Sequence, residues 1–307
     1  EPDTAKVYFN RLVSEFGDSE NAPEALYRMG VYFYRAKDYT EAREHFNKLY
    51  SRYSGNRLAG EGLYWIGWSY YREGNHSMAL GIFRTFIEKY PKNDFVSDAM
   101  MRIAQLHTVQ KDFSKSLEEY DRIAKLYKGT PVGEKAIFEM ALTHERIAKQ
   151  LVGTDKDREL DKAVRLFRLL AENAGDEAIR GEASFWLGQH YLDTGKDKDG
   201  LALLEKLAST DKTSLGARSR LAVGLFYFEK GKTDRESYSL AYDEFMKVVY
   251  LFKDLKEEAA QASYYAAYSQ HLRGNKVSAV RLLDRLQDQY PDTTWAAKGR
   301  TLKGQIQ

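Results

Sequence analysis

Few residues in this 307-residue chain have the types and spacing that chemistry requires. The stretch "GLFYFEKGKT", residues 224–233, ends in Gly-Lys-Thr as a phosphate-binding loop does. Such a loop also needs a glycine five residues before that Gly-Lys-Thr glycine, so that backbone N–H groups can close on the phosphates, and Phe226 stands there instead. The stretch reads as a helix end entering a turn. His107 and His144 recur at equivalent places and invite a metal reading, but a tetrahedral ion needs further donors. No third Asp, Glu or His shares their register, and helices in contact stand roughly 8–10 Å apart. Both read as core histidines in an aromatic slot. Glu118-Glu119 and Glu257-Glu258 read as solvated pairs. With no cysteine, thiolate nucleophiles, disulfides and Cys-ligated zinc are excluded. The expectation is no catalytic residue, no metal and no cofactor.

Composition points the same way. Charged residues make up 30% and apolar ones 43%, as in a folded protein rather than a disordered or membrane one. Lys plus Arg number 47 against 45 Asp plus Glu, a net charge of +2, so no global field recruits nucleic acid or an anionic membrane. No apolar run approaches the roughly 20 residues that span a bilayer, so no direct membrane span is expected. Residues 1–20 lack the basic-then-apolar pattern of a signal peptide.

The organising signal is a repeat. Small residues that follow an apolar one recur at Gly30, Gly67, Ala104, Ala141, Gly188, Gly224 and Ala267. A second series runs Ala5, Ala42, Ala79, Ser116, Ala163, Gly200, Ala241 and Ala279, each four residues before Phe9, Phe46, Phe83, Tyr120, Phe167, Leu204, Phe245 and Leu283. Within one copy, Leu63, Ile66, Gly67 and Tyr70 share one helical face, and Gly74-Asn75 stops that helix. Ala79, Phe83, Phe86 and Tyr90 form a second stripe, which Pro91 ends. Each copy is a helix–turn–helix hairpin.

Leu63, Gly67, Tyr70, Gly74, Ala79, Phe83 and Pro91, echoed by Trp186-Leu187-Gly188 and Tyr191, resemble the tetratricopeptide repeat (TPR) pattern. His107 and His144 replace its usual aromatic, Gly200 its Ala, and Arg220 an apolar residue. The resemblance implies an all-α, right-handed α-solenoid over residues 1–307. It would comprise the second helix of a truncated repeat at 3–16, seven full repeats over 22–290 and a capping helix at 293–305. Polar insertions near 149–160 and 233–238 are expected at exposed hairpin turns. Helix 3–16 presents Val7, Phe9 and Leu12 with no first helix to cover them, so that end is expected to pack on a partner or on upstream repeats. The junctions "FIEKYPKNDFVSDAMMRIA" (86–104) and "LQDQYPDTTWAAKGR" (286–300) resemble those of bacterial envelope TPR proteins such as the outer-membrane barrel-assembly lipoprotein and the Tol–Pal periplasmic coordinator. That implies a periplasmic or outer-membrane-associated location, with a cytoplasmic one as the alternative.

In TPR proteins the first helices line a concave groove, at positions three before, one after and four after the aligned small residue. Ten of those twenty-one positions are aromatic here: Tyr27, Tyr34, Tyr64, Trp68, Tyr71, Phe138, Phe185, Phe228, Tyr264 and Tyr268. Only Glu145 among the twenty-one is charged. Either these residues pack between adjacent first helices, or they offer a groove to an apolar or aromatic peptide. Arg35 and Arg72 stand nearby as carboxylate partners. Val31, Trp68 and Gln105 occupy positions where the TPR domains that hold chaperone C-terminal carboxylates use asparagine, so that ligand is not expected. The expected function is a non-enzymatic scaffold binding other proteins or peptide segments in a bacterial envelope assembly. The alternative is a helical accessory domain of a larger enzyme, such as a cell-wall lytic enzyme. Nucleic acid is not an expected partner, because Lys and Arg are nearly absent from the groove positions.

Overall fold

The computed structural model describes residues 19–306, with Arg11 and Glu15 before them. The helix expected over 3–16, with Val7, Phe9 and Leu12, falls outside the described residues apart from Arg11 and Glu15. Residues 19–306 form fifteen α-helices and no strand. Two compact units are present, Glu1–Ala163 and Val164–Gln307. The first contains α1 (Ala22–Arg35), α2 (Tyr39–Arg52), α3 (Arg57–Arg72), α4 (His76–Lys89), α5 (Val96–Val109), α6 (Phe113–Leu126) and α7 (Pro131–Ala148). The unit boundary falls within α8 (Gly153–Asn173). The second unit contains α9 (Glu177–Asp193), α10 (Asp197–Thr210), α11 (Ser214–Lys230), α12 (Ser237–Leu251), α13 (Lys256–Leu272), α14 (Lys276–Gln289) and α15 (Thr294–Ile306). Each helix from α1 to α7 packs on the next, as does each from α9 to α15, so each unit is an α-solenoid of hairpins.

The helix starts follow from local chemistry. Asp38, Asn75 and Asp112 each accept a hydrogen bond from a backbone N–H of the first turn, and Thr130 and Asp176 do the same for α7 and α9. Five of the hairpin turns share one geometry. At the residue seven places after the aligned small residue the backbone is left-handed: Lys37 (φ 64°), Gly74 (78°), Lys111 (61°), Gly195 (74°) and Gly274 (90°). Each of these turns closes with the same pair of bonds, as in Lys37 N to Tyr34 O and Asp38 N to Phe33 O. Glycine adopts this conformation freely, whereas lysine pays for its Cβ. Lys37→Gly is therefore expected to raise stability by up to about 1 kcal/mol, read as a higher midpoint in urea.

The two repeat series meet inside the hairpins. A Cβ on Gly67 would lie 2.7 Å from Phe83, and one on Gly224 would lie 2.6 Å from Phe245. Phe46, Phe83, Tyr120, Phe167, Phe245 and Leu283 are all wholly buried. The small residue on the first helix is thus the seat for the large one on the second, which explains why both keep the same beat.

The first insertion differs from expectation. Residues 153–160 form the opening turns of the 21-residue α8 rather than a loop. They are polar and largely exposed, except where Glu159 turns inward to His144, its Oε2 2.6 Å from Nδ1. The second insertion is a turn before α12, pinned where the Arg235 guanidinium donates to Leu272 O at 3.0 Å.

Candidate functional site

The amphipathic α3 carries the densest aromatic set, and tertiary contacts divide it. Tyr64 is 5% exposed. Its ring stacks on Phe95 at 4.5 Å and meets Phe86 at 5.6 Å, and its hydroxyl donates to Asp98 Oδ2 at 2.6 Å. Burial, reinforced by the Asp98 carboxylate, raises the phenol's pKa and keeps it a neutral donor. Tyr64 is therefore core and not an accessible groove residue. Phe185 and Phe228 are buried too. The Arg218 guanidinium covers Phe185 at 4.4 Å, and Phe228 lies against Tyr238, Tyr265 and Tyr268.

Tyr27 and Tyr34 are half-buried because Trp65 bridges them. Its indole N–H donates to the Tyr27 hydroxyl at 3.2 Å, and its ring lies 4.8 Å from Tyr34. Trp65 stands two places before Gly67, outside the three groove positions, which is why the pattern missed it. Trp68 and Tyr71 are half-buried as well, with ring centroids 5.3 Å apart. The Trp68 indole N–H lies close enough to the Tyr64 hydroxyl to favour its ionised form but makes no well-formed hydrogen bond. Over the Trp68 ring, at 4.8 Å, lies the Arg102 guanidinium, which also donates to Asp98 and Gln105. Arg35 and Arg72 are exposed, and the Tyr39 hydroxyl holds the Arg72 pKa above its usual value. Half-buried Phe138 lies under the Lys135 ammonium at 5.0 Å. In the second unit Tyr264 and Tyr268 are half-buried, 6.1 Å apart, with Trp295 5.5 Å from Tyr264.

Beyond Tyr71 the first unit opens into a cleft of about 800 Å³. Arg102, Gln105 and Thr108 of α5, Lys111 of the following turn and Arg146 of α7 line it. Besides Tyr71, only Gln105 and Thr108 of the cleft are among the groove positions read from the repeat. Arg102 is the residue after Met101, and Arg146 the one after Glu145.

Neither histidine joins a metal set, and no group of three or more metal-ligating side chains occurs among the described residues. His107 is 3% exposed, with Arg84 Nη2 3.4 Å from its Nε2. Burial, then the Arg84 charge, lowers its pKa, with Lys115 adding to this and Asp112 and Glu119 opposing it. The unfolded chain, whose histidine titrates near about 6.5, then takes up the proton first as pH falls. Stability carried by neutral His107 is full above that value and lost below it. The melting temperature is expected to fall between pH 7 and pH 5, and to fall less in His107→Gln.

Residues 19–151 match the YfiO family, described as an outer membrane lipoprotein, and residues 261–293 match a tetratricopeptide repeat family. The chain has the fold of TPR proteins. Its fold is similar to that of a TPR protein from Parabacteroides merdae ATCC 43184, at 16% identity over 92% of this chain and 98% of that one, with a TM-score of 0.50. It is also similar to the C-terminal part of a TPR repeat-containing protein from Cytophaga hutchinsonii, at 15% identity over 89% and 98%, with a TM-score of 0.56. At such identities the likeness speaks to the fold alone. No curated protein matches the chain's sequence.

Proposed function

We propose that this protein is a non-enzymatic scaffold that holds partner proteins or peptide segments on the first-helix face of its first unit, within a bacterial cell-envelope assembly. The observation that carries the reading is Tyr71, half-buried at the edge of the cleft of about 800 Å³, with the half-buried Trp68 ring 5.3 Å from it. Tyrosine and tryptophan give large contact area at low entropic cost, and a concave apolar edge with convergent polar groups suits an extended segment. The envelope setting is supported by the match of residues 19–151 to an outer membrane lipoprotein family.

The test is site-specific photo-crosslinking in the native cell. A crosslinker in place of Tyr71 is expected to yield discrete adducts, while one in place of Leu126, 65% exposed on α6, yields few. Equal labelling at both sites, or adducts at Leu126 alone, would move the interface off the first-helix face. Recovery of the Tyr71 adducts in the periplasmic or outer-membrane fraction is expected, and their recovery only from cytosol would overturn the envelope setting.

A further inference from the structure

The cleft beside Tyr71 is basic, and half of its positive charge is uncommitted. Of its four cations, Arg102 is held by Asp98 at 3.1 Å and Gln105 at 2.6 Å, and Lys149 by Glu145 at 2.9 Å. The side chains of Lys111 and Arg146 have no hydrogen-bond or ion-pair partner among the described residues, and both residues are exposed. Glu139, the lining carboxylate, is engaged by Lys135 at 3.5 Å.

Two further features, the register of Arg146 and the Tyr120 hydroxyl, point to an occupant. Lys111 holds a left-handed turn position, φ 61°, which Gly74, Gly195 and Gly274 fill in other hairpins. Lys37 takes the same position in the first hairpin, so lysine is accommodated in this turn. Arg146 lies five residues after its small residue Ala141, as Arg35 and Arg72 lie five after Gly30 and Gly67, and all three are exposed. Val109 holds that place on α5, and in the second unit Asp193, Glu229 and Leu272 take that register, so its cations belong to the first unit alone. At the back of the cleft the wholly buried Tyr120 has a hydroxyl without a well-formed hydrogen bond. The nearby Thr108 hydroxyl is already shared with Ala104 O at 3.1 Å and Ser116 Oγ at 2.5 Å.

We infer that this cleft binds an acidic segment of a partner protein, its carboxylates on Arg146 and Lys111 and an apolar side chain against Tyr71 and Phe113. The inference rests on the scaffold reading above and adds the chemistry of the ligand. A nucleic acid or anionic bilayer would press phosphates on Asp98 and Glu139 as well. A peptide can place its charge at the two free cations and turn amides or hydroxyls to the rest.

The experiment measures binding of the full chain to two fluorescein-labelled peptides of about 12 residues. One alternates Glu and Phe among Ser and Gly, and the other has Gln for every Glu. The Glu peptide is expected to bind about fivefold or more tightly at low salt, with the advantage shrinking as salt rises. Arg146→Gln with Lys111→Gly should remove about tenfold of that affinity without lowering the melting temperature, because the turn accepts glycine readily. Equal binding of both peptides, or unchanged affinity in the folded double variant, would overturn the inference. If the Gln peptide still bound through Tyr71, the scaffold reading would stand without its acidic ligand; if neither peptide bound, both would fall. An oligo-dT or phosphatidylglycerol vesicles binding more tightly than the Glu peptide, through Arg146 and Lys111, would reassign the cleft to a polyanion.

Discussion

Phe83→Ala is expected to lower the stability of the chain by about 3–5 kcal/mol, seen as an earlier urea transition in circular dichroism. Phe83 is wholly buried, sits over Gly67 and lies 6.0 Å from the Tyr64 ring, so truncation leaves a cavity where α3 and α4 join. The same pair yields a sharper test. Ala267 and Leu283 occupy the corresponding places in the last hairpin, which shows that a slightly larger seat with a slimmer occupant also packs. Gly67→Ala alone drives a Cβ to 2.7 Å from the Phe83 ring. Combined with Phe83→Leu it should cost less than the two changes summed, by about 1 kcal/mol or more. Strict additivity would mean that the small and large residues do not share one packing site.

Tyr64→Ala should cost about 3 kcal/mol or more, through the lost Phe95 stack and contacts with Phe83 and Phe86. Tyr64→Phe removes only the hydroxyl that donates to Asp98, a carboxylate still held by Arg102, and is expected to cost about 1 kcal/mol. Tyr71→Ala, two turns along the same helix, should shift the transition by no more than about 1 kcal/mol while weakening capture of the partner. Urea titrations of the three variants beside crosslinking yields separate these outcomes. A stable Tyr64→Ala that loses binding would return Tyr64 to the groove.

The helices and their pairing were legible because they depend on neighbours three and four residues away. Gly67 and Phe83 carried the hairpin, Gly74-Asn75 and Pro91 its ends, and α1 to α15 follow that grammar. Polarity identifies 149–160 as an exposed segment but not its backbone; eight of those residues extend α8.

Sequence alone therefore determined an all-α array of TPR hairpins and the helix face that bears its aromatics. Only the tertiary structure decided which of them solvent can reach. Tyr64, Trp68 and Tyr71 are equivalent on the helical wheel, yet Phe95 and Asp98 close over the first and leave the others half-open. The cleft cations were hidden for the same reason: Arg102, Lys111 and Arg146 come from two helices and a turn, and no local period joins them. Periodicity reports which side of a helix is apolar, whereas accessibility and charge at a point in space depend on what distant segments bring to it.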